Sequence, residues 1–383
     1  MISKDIIDDA TVFTEYQIKG DDRPDNVAFE VYQDSNLDWL ILLCNNIINI
    51  QTEWPLLQND FDRYMLEKYG TYEKMNATHH YETKEVKKTL QIIAKIKERF
   101  KDGFSPSAIS TYIECPINFY YNYVIGTKES DEVEEEIEMS SFGTFVHNAL
   151  EELYLPFVGK NITEQDLKGL LEQADSEVYK AFTAEKFTKA ELKRGKNLLT
   201  LSVAQNYVKT FIKNEIELIK SQSSSLYIKA LEQELNAEIL VNNSTIKIKG
   251  KADRIDVLNE TLRIIDYKTG VVEPNNLKAE SVEILNESKY SKAFQVLMYA
   301  LMYSKQNNVN HLNLHSGIVS FRKLSEGFMP FGIGKSRQDP NPLITAELLA
   351  DFEQVLVEII EEILDINTSF VHNEDAKWCE FCN

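Results

Sequence analysis

Apolar and polar positions in residues 250–270 (GKADRIDVLNETLRIIDYKTG) form two short strand-like runs separated by Asn259-Glu260. Such a pattern predicts two β-strands joined by a two-residue turn. With that turn, Leu258 faces Thr261, Val257 faces Leu262 and, counting outward, Asp253 faces Asp266. Directly opposed residues of an antiparallel pair share a face, with Cβ atoms roughly 4.5–5.5 Å apart. Two carboxylates so placed repel each other unless a cation sits between them. Lys268 lies two residues beyond Asp266 and projects from the same side. Two acids and a lysine on one face make a candidate metal-dependent phosphodiester-cleaving site.

Elsewhere the pattern is mostly helical. Residues 11–20 (TVFTEYQIKG) alternate like a strand, GDDRP breaks it, and residues 26–32 and 38–46 read as short helices. Cys44 falls in an apolar run and reads as a small buried hydrophobe. Residues 83–101, with Leu90, Ile93 and Ile96 at helical spacing, read as a connecting amphipathic helix. Ser105-Pro106 is a helix start that leads into an aromatic-rich helix carrying Cys115-Pro116, whose rings read as core. The acidic run 128–139 reads as a solvated loop, and residues 140–154 as a helix carrying His147. Residues 163–222 read as a pair of helices forming a cap or arm, followed by a strand and an Asn-Asn turn. Residues 288–305 predict a helix with Gln295 and Tyr299 on one face, four residues apart. A further strand precedes residues 331–336 (FGIGKS), which lack the first glycine of a phosphate-binding loop because position 329 is Met329. Residues 344–366 form a long amphipathic pattern.

Composition narrows the possibilities. The 383 residues, 43% hydrophobic and 27% charged, suffice for two or three domains with real cores. There is no 18-residue apolar run, and the acidic start has no apolar segment of a signal peptide, so no membrane association and a cytoplasmic location are expected. A net charge of −20 argues against a generally sticky nucleic-acid binder, though not against one local positive site. Four cysteines (Cys44, Cys115, Cys379 and Cys382) are too few for a disulfide scaffold, and Cys379-x-x-Cys382 reads as a metal or cluster clip.

The order of these signals along the chain is more specific than any one of them. Cys115-Pro116 is followed by Phe142-Gly143 with His147, then Gly250 to Asp256 (GKADRID), Asp266-Tyr-Lys268-Thr-Gly270, Gln295 with Tyr299, and Cys379-x-x-Cys382. Residues 104–382 thereby resemble the PD-(D/E)XK nuclease superfamily, in particular the RecB-like domain at the C terminus of AddB-type recombination proteins. The resemblance implies an α/β (α+β) fold. Its restriction-endonuclease-like core would have a mixed central sheet flanked by helices, with a helical arm over about 160–222. It also implies that His147, Asp253 and Asp266, with the Tyr267 carbonyl, bind Mg²⁺ or Mn²⁺. Lys268 would orient or activate the attacking water, and Gln295 and Tyr299 would position the substrate. The family's [4Fe–4S] cluster takes four cysteines, of which Cys115, Cys379 and Cys382 match three, an incomplete set. DNA is the implied substrate, with a helicase subunit supplied in trans.

Residues 11–70 resemble the baseplate wedge protein of contractile-tailed phages and a LysM-like fold, on the words IKGDDRP, AFEVY and W-x-x-L around Trp39. That implies a small α/β module at 1–80 that binds a protein partner, joined through 81–103 to a nuclease domain at 104–383. The leading reading is a metal-dependent DNA nuclease, of the exonuclease type used in recombination and repair. A phage-tail structural protein carrying a fused nuclease fold, and a stand-alone exonuclease of the CRISPR-associated type acting on single strands, are the alternatives.

Overall fold

Asn259 and Glu260 both adopt left-handed backbone, with φ of 48° and 69°. Two consecutive positive φ angles define the hairpin turn whose twist matches that of the flanking strands. The turn sets the register that was expected: Leu258 pairs with Thr261 and Val257 with Leu262, down to Arg254 with Ile265. Asn242 and Asn243 repeat the device (φ 47° and 60°) one hairpin earlier, where Val241 pairs with Ser244.

The computed structural model describes residues 16–19, 22–45, 47, 49–75, 85–126, 139–185, 187–222, 225–307, 313–334 and 341–373. The chain divides into two compact units, Met1–Tyr81 and Glu82–Asn383. In the first, the helices Pro24–Tyr32 and Asp38–Cys44 form where expected, and the helices Ile50–Glu53 and Gln58–Tyr69 follow. Cys44, at the end of its helix, is half-buried rather than fully buried. Among the described residues of this unit there is no strand; Tyr16–Lys19 is irregular, and the rest of the first expected strand lies outside the described residues.

The second unit is built on one six-stranded sheet. Its strands are β1 (Lys160–Ile162), β2 (Leu226–Val241), β3 (Ser244–Leu258), β4 (Thr261–Lys268), β5 (Leu314–Ser320) and β6 (Phe328–Pro330), and they lie side by side in that order. All neighbours are antiparallel except β4 and β5, which run parallel from Leu262–Leu314 to Lys268–Ser320. A parallel pair needs a crossover. The helix Ser291–Asn307 between them supplies it.

Helices cover both faces, numbered α1 (Leu90–Arg99), α2 (Pro106–Glu114), α3 (Met139–Tyr154), α4 (Glu164–Glu185), α5 (Gly195–Gln222), α6 (Ser291–Asn307) and α7 (Ala346–Leu364). One core joins α1, α2, α6 and α7 to Ile255, Leu262 and Ile264; the other joins α3, α4 and α5 to Ile265, Tyr267 and Val319. Adjacent residues of β4 thus enter different cores, as alternation requires of a strand buried on both faces. Residues 83–101 are not a bare connector. Glu85–Lys87 pairs with Ser369–Val371, and α1 buries Ile93 and Ile96 in the core of the second unit while Leu90 stays 77% exposed. Ser105 caps α2 with its hydroxyl accepting from the Ala108 amide at 3.2 Å, and Cys115-Pro116 ends that helix. The aromatic run is core, with Tyr112 and Phe119 buried edge to face.

Between β3 and the arm lies a buried charge quartet. The Arg254 guanidinium has no exposure; it sits 2.8 Å from Glu215 of α5, 2.8 Å from Asp256, and over the rings of Tyr154 and Phe211. Arg263 grips Asp256 with two nitrogens at 2.7 and 2.8 Å. The Tyr154 hydroxyl donates to Glu215. Two cations and two anions balance, which is what makes the set tolerable out of water.

The turn and the quartet can each be tested by stability. Glutamate in the left-handed region costs about 1–2 kcal/mol, partly offset by the entropy glycine loses. Glu260→Gly is therefore expected to raise the urea midpoint, by about 0.5–1 kcal/mol of stability; a lowered midpoint refutes the reading of the turn. Arg254→Met leaves Glu215 buried without its cation and is expected to cost about 3–5 kcal/mol. Adding Glu215→Gln should recover part of the loss. Equal urea curves for Arg254→Met and the unaltered protein would show that the quartet does not anchor the arm.

Candidate active site

Beyond Arg254 and Ile265 the paired ladder of β3 and β4 ends, and Asp253 takes over from the backbone. Its Oδ2 accepts the amide N–H of Tyr267 at 2.5 Å. The register that puts Asp253 opposite Asp266 thus brings both carboxylates to the end of β4. His147 comes from α3: its Nδ1 is 3.4 Å from Asp253 Oδ1, and its Nε2 is 3.1 Å from the Tyr267 carbonyl. A carbonyl only accepts, so Nε2 carries a proton and Nδ1 faces the acid. Burial lowers the pKa of His147, but hydrogen bonding and attraction from Asp253, with Asp266 and Glu232 behind it, outweigh this and hold it above the ordinary histidine value.

The cluster has a member that the sequence did not disclose. Glu232 of β2 has left-handed backbone (φ 47°), with Leu231 paired to Arg254 and Gln233 to Ala252 on either side, so it stands opposite Asp253. One ligand atom each from His147, Glu232 and Asp253 lie within 4.8 Å of one another. Burial raises the Glu232 pKa against the pull of Lys251, whose ammonium is 2.6 Å away. An imidazole and carboxylate oxygens at this spacing fit a hard divalent ion such as Mg²⁺ or Mn²⁺. Asp266 stands outside that triplet, beside it.

Asp266 is buried and raised in pKa by that burial, with Asp253 adding to the rise and Lys268 opposing it. Lys268 Nζ lies 2.9 Å from Asp266 Oδ2 and 3.2 Å from Oδ1. From α6, Gln295 Nε2 donates to Asp266 Oδ1 at 3.2 Å and to the Tyr299 hydroxyl at 3.0 Å. Tyr299 is buried, and its hydroxyl meets both Gln295 and Asp266. Gly250 makes room for it: a Cβ there would come 2.9 Å from the Tyr299 ring and 2.7 Å from Met302.

The structure therefore gathers His147, Asp253, Asp266, Tyr267, Lys268, Gln295 and Tyr299 at the C-terminal end of β4, between the two helical layers. Sites in sheets with parallel strands sit at such ends. Cys115 is elsewhere, buried, with its sulfur 3.7 Å from Nδ1 of His372. Cys379 and Cys382 lie outside the described residues. Of the three cysteines that match the family's cluster ligands, Cys115 is the one among the described residues, and no cluster is derived from it. Among the described residues no helix is long and apolar enough to cross a membrane.

Comparison with known proteins agrees with this geometry. Residues 2–102 match the family of base plate wedge protein 53. An uncharacterized protein of Rickettsia bellii is 30% identical over 185 residues, covering 45% of this chain and 19% of that protein. A component of the ATP-dependent helicase/deoxyribonuclease of Clostridioides difficile is 23% identical over 273 residues, covering 66% of this chain and 22% of that protein. The chain spans about a fifth of the length of these curated relatives. The match that decides the family is over residues 103–383, and by it the chain belongs to the PD-(D/E)XK nuclease superfamily.

Proposed function

We propose that the second unit is a Mg²⁺- or Mn²⁺-dependent deoxyribonuclease, of exonuclease type, that works in DNA recombination or repair. The observation that carries this reading is the approach of His147, Glu232 and Asp253 within 4.8 Å, next to an Asp266–Lys268 pair. His147, Asp253 and Asp266, with the Tyr267 carbonyl and now Glu232, are the residues that would hold the metal. A bound divalent ion supplies Lewis acidity toward a phosphate oxygen and makes a bound water a better nucleophile.

The chain's own groups complete the site. The Lys268 ammonium, held by Asp266, is a donor for the negative charge that builds on the phosphate as the bond breaks. Gln295 fixes the orientation of Asp266, and Tyr299 fixes Gln295. Asp253 is oriented by the Tyr267 amide, leaving Oδ1 toward His147. Gln295 and Tyr299 thus hold Asp266 from outside the set that would meet the ion, while Asp253, Tyr267 and His147 hold one another.

A helicase acting in trans is the partner proposed for unwinding a duplex, by likeness to the helicase/deoxyribonuclease relatives. A second reading has its own support in the match of residues 2–102 to base plate wedge protein 53: a phage-tail assembly protein whose first unit binds a tail component and carries the nuclease with it.

Asp266→Ala and Lys268→Ala are each expected to lower Mg²⁺-dependent cleavage of linear DNA at least about a hundredfold, with an unchanged circular dichroism spectrum. Chelation with EDTA should abolish cleavage, and Mn²⁺ should restore it. Full cleavage by pure Asp266→Ala protein sinks the assignment. Glu232→Gln tests the newly placed ligand. It should weaken Mn²⁺ binding, measured by calorimetry without DNA, by about tenfold or more; wild-type affinity removes Glu232 from the site.

A further inference from the structure

α6 is buried at every position from Ser291 to Tyr303 except Lys292 and Gln295. Those two are three residues apart, and Tyr299 is seven from Lys292, so all three share one face of the helix. Gln295 shows where that face looks, because its amide reaches Asp266. Lys292 stands one turn nearer the helix start, within electrostatic range of Lys268, Asp266 and Glu114.

Its surroundings are wrong for a cation in three ways. The side chain is half-buried, and burial depresses its pKa, with Lys268 depressing it further. It also occupies the first turn of a helix, where the macrodipole favours negative charge. Among the described residues the ammonium has no hydrogen bond and no ion pair. Asp266 and Glu114 attract it from a distance without outweighing burial, and the Asp266 oxygens are already taken by Lys268 and Gln295. A half-buried lysine without a partner, beside a second lysine, is unfavourable by each of these criteria. One external anion placed between the two ammonium groups would reverse all of them.

We propose that Lys292 binds a backbone phosphate of the nucleic-acid substrate, making with Lys268 a two-cation phosphate subsite on the α6 side of the metal-ligand cluster. The proposal rests on the nuclease reading for the identity of the anion. It also accounts for how a chain of net charge −20 holds a polyanion at this site: the positive charge is concentrated where the backbone must lie.

The test is binding of a fluorescent single-stranded oligonucleotide to the full chain, with Ca²⁺ replacing Mg²⁺, followed by anisotropy over a range of KCl concentrations. Lys292→Met should weaken binding about tenfold and flatten the log–log salt dependence by about 0.7, the contribution of one phosphate contact on a single strand. Lys292→Arg should restore both. Mn²⁺ affinity of the DNA-free Lys292→Met protein should be equal to or tighter than wild type, because a like charge has been removed from beside the ligands. Wild-type affinity and slope in a folded Lys292→Met protein overturn the proposal, as does a loss that Lys292→Arg fails to rescue. Cleavage of linear DNA by the unaltered protein is scored separately. Lys292-dependent binding without any cleavage would remove the nuclease reading and keep the contact; cleavage with Lys292-independent binding would do the reverse.

Discussion

Arg254 is a cation sealed from solvent, and the second unit is arranged around the need to neutralise it. Glu215 on α5 and Asp256 on β3 do so, and Arg263 on β4 returns Asp256 to balance. Removing one member leaves a charge worth several kcal/mol uncompensated, comparable to the whole stability of many domains. The arm therefore cannot separate from the sheet without breaking the quartet. This matters to the site because Tyr154, which donates to Glu215 and lies under Arg254, is seven residues from His147 on the same helix. Two turns of α3 carry the anchoring to His147.

At the other end of that connection the electrostatics are unbalanced. Burial and mutual repulsion raise the pKa values of Glu232 and Asp266, and the surrounding acids raise that of His147. Each shift runs toward the protonated form, the direction in which an added positive charge relieves the cluster. A divalent ion does the same job with more charge in one place. Lys268 pairs with Asp266, and Lys251 pairs with Glu232.

How much of this was legible in the sequence depended on local rules. A two-residue turn leaves no freedom of register, so Asn259-Glu260 sufficed to bring Asp253 and Asp266 together. The helices carrying His147 and Gln295 were equally readable from spacing and start signals. Glu232 obeys the same rule from the turn before: counting outward from Asn242-Asn243, where Val241 pairs with Ser244, sets it opposite Asp253, and the one-residue shift of β2 on β3 lies beyond it, between Ile228 and Ala230. What the count does not foretell is the left-handed backbone at Glu232 and the packing of α3 that brings His147 to it. Lys292 was hidden for a similar reason: a lysine in a helix reads as surface until the packing shows the rest of that helix buried. Leu90 failed in the opposite sense, since helical spacing finds a face but does not say where that face begins.

The absence of one side chain supports the end of the sheet where Asp266 and Lys268 stand. Gly250 lies on β3, where glycine weakens a strand by about 0.5–1 kcal/mol relative to alanine. The strand accepts that cost because the Tyr299 ring occupies the space a methyl group would need. From Tyr299 the contacts run outward through Gln295 to Asp266 and then to Lys268, each link a single hydrogen bond or ion pair. None of these links is strong alone, since an individual hydrogen bond contributes only about 0.5–1.5 kcal/mol net. Their value lies in geometry. A lysine held by a carboxylate, itself held by an amide wedged on a buried ring, has its ammonium placed before any substrate arrives, and a site so prepared need not reorganise as charge develops.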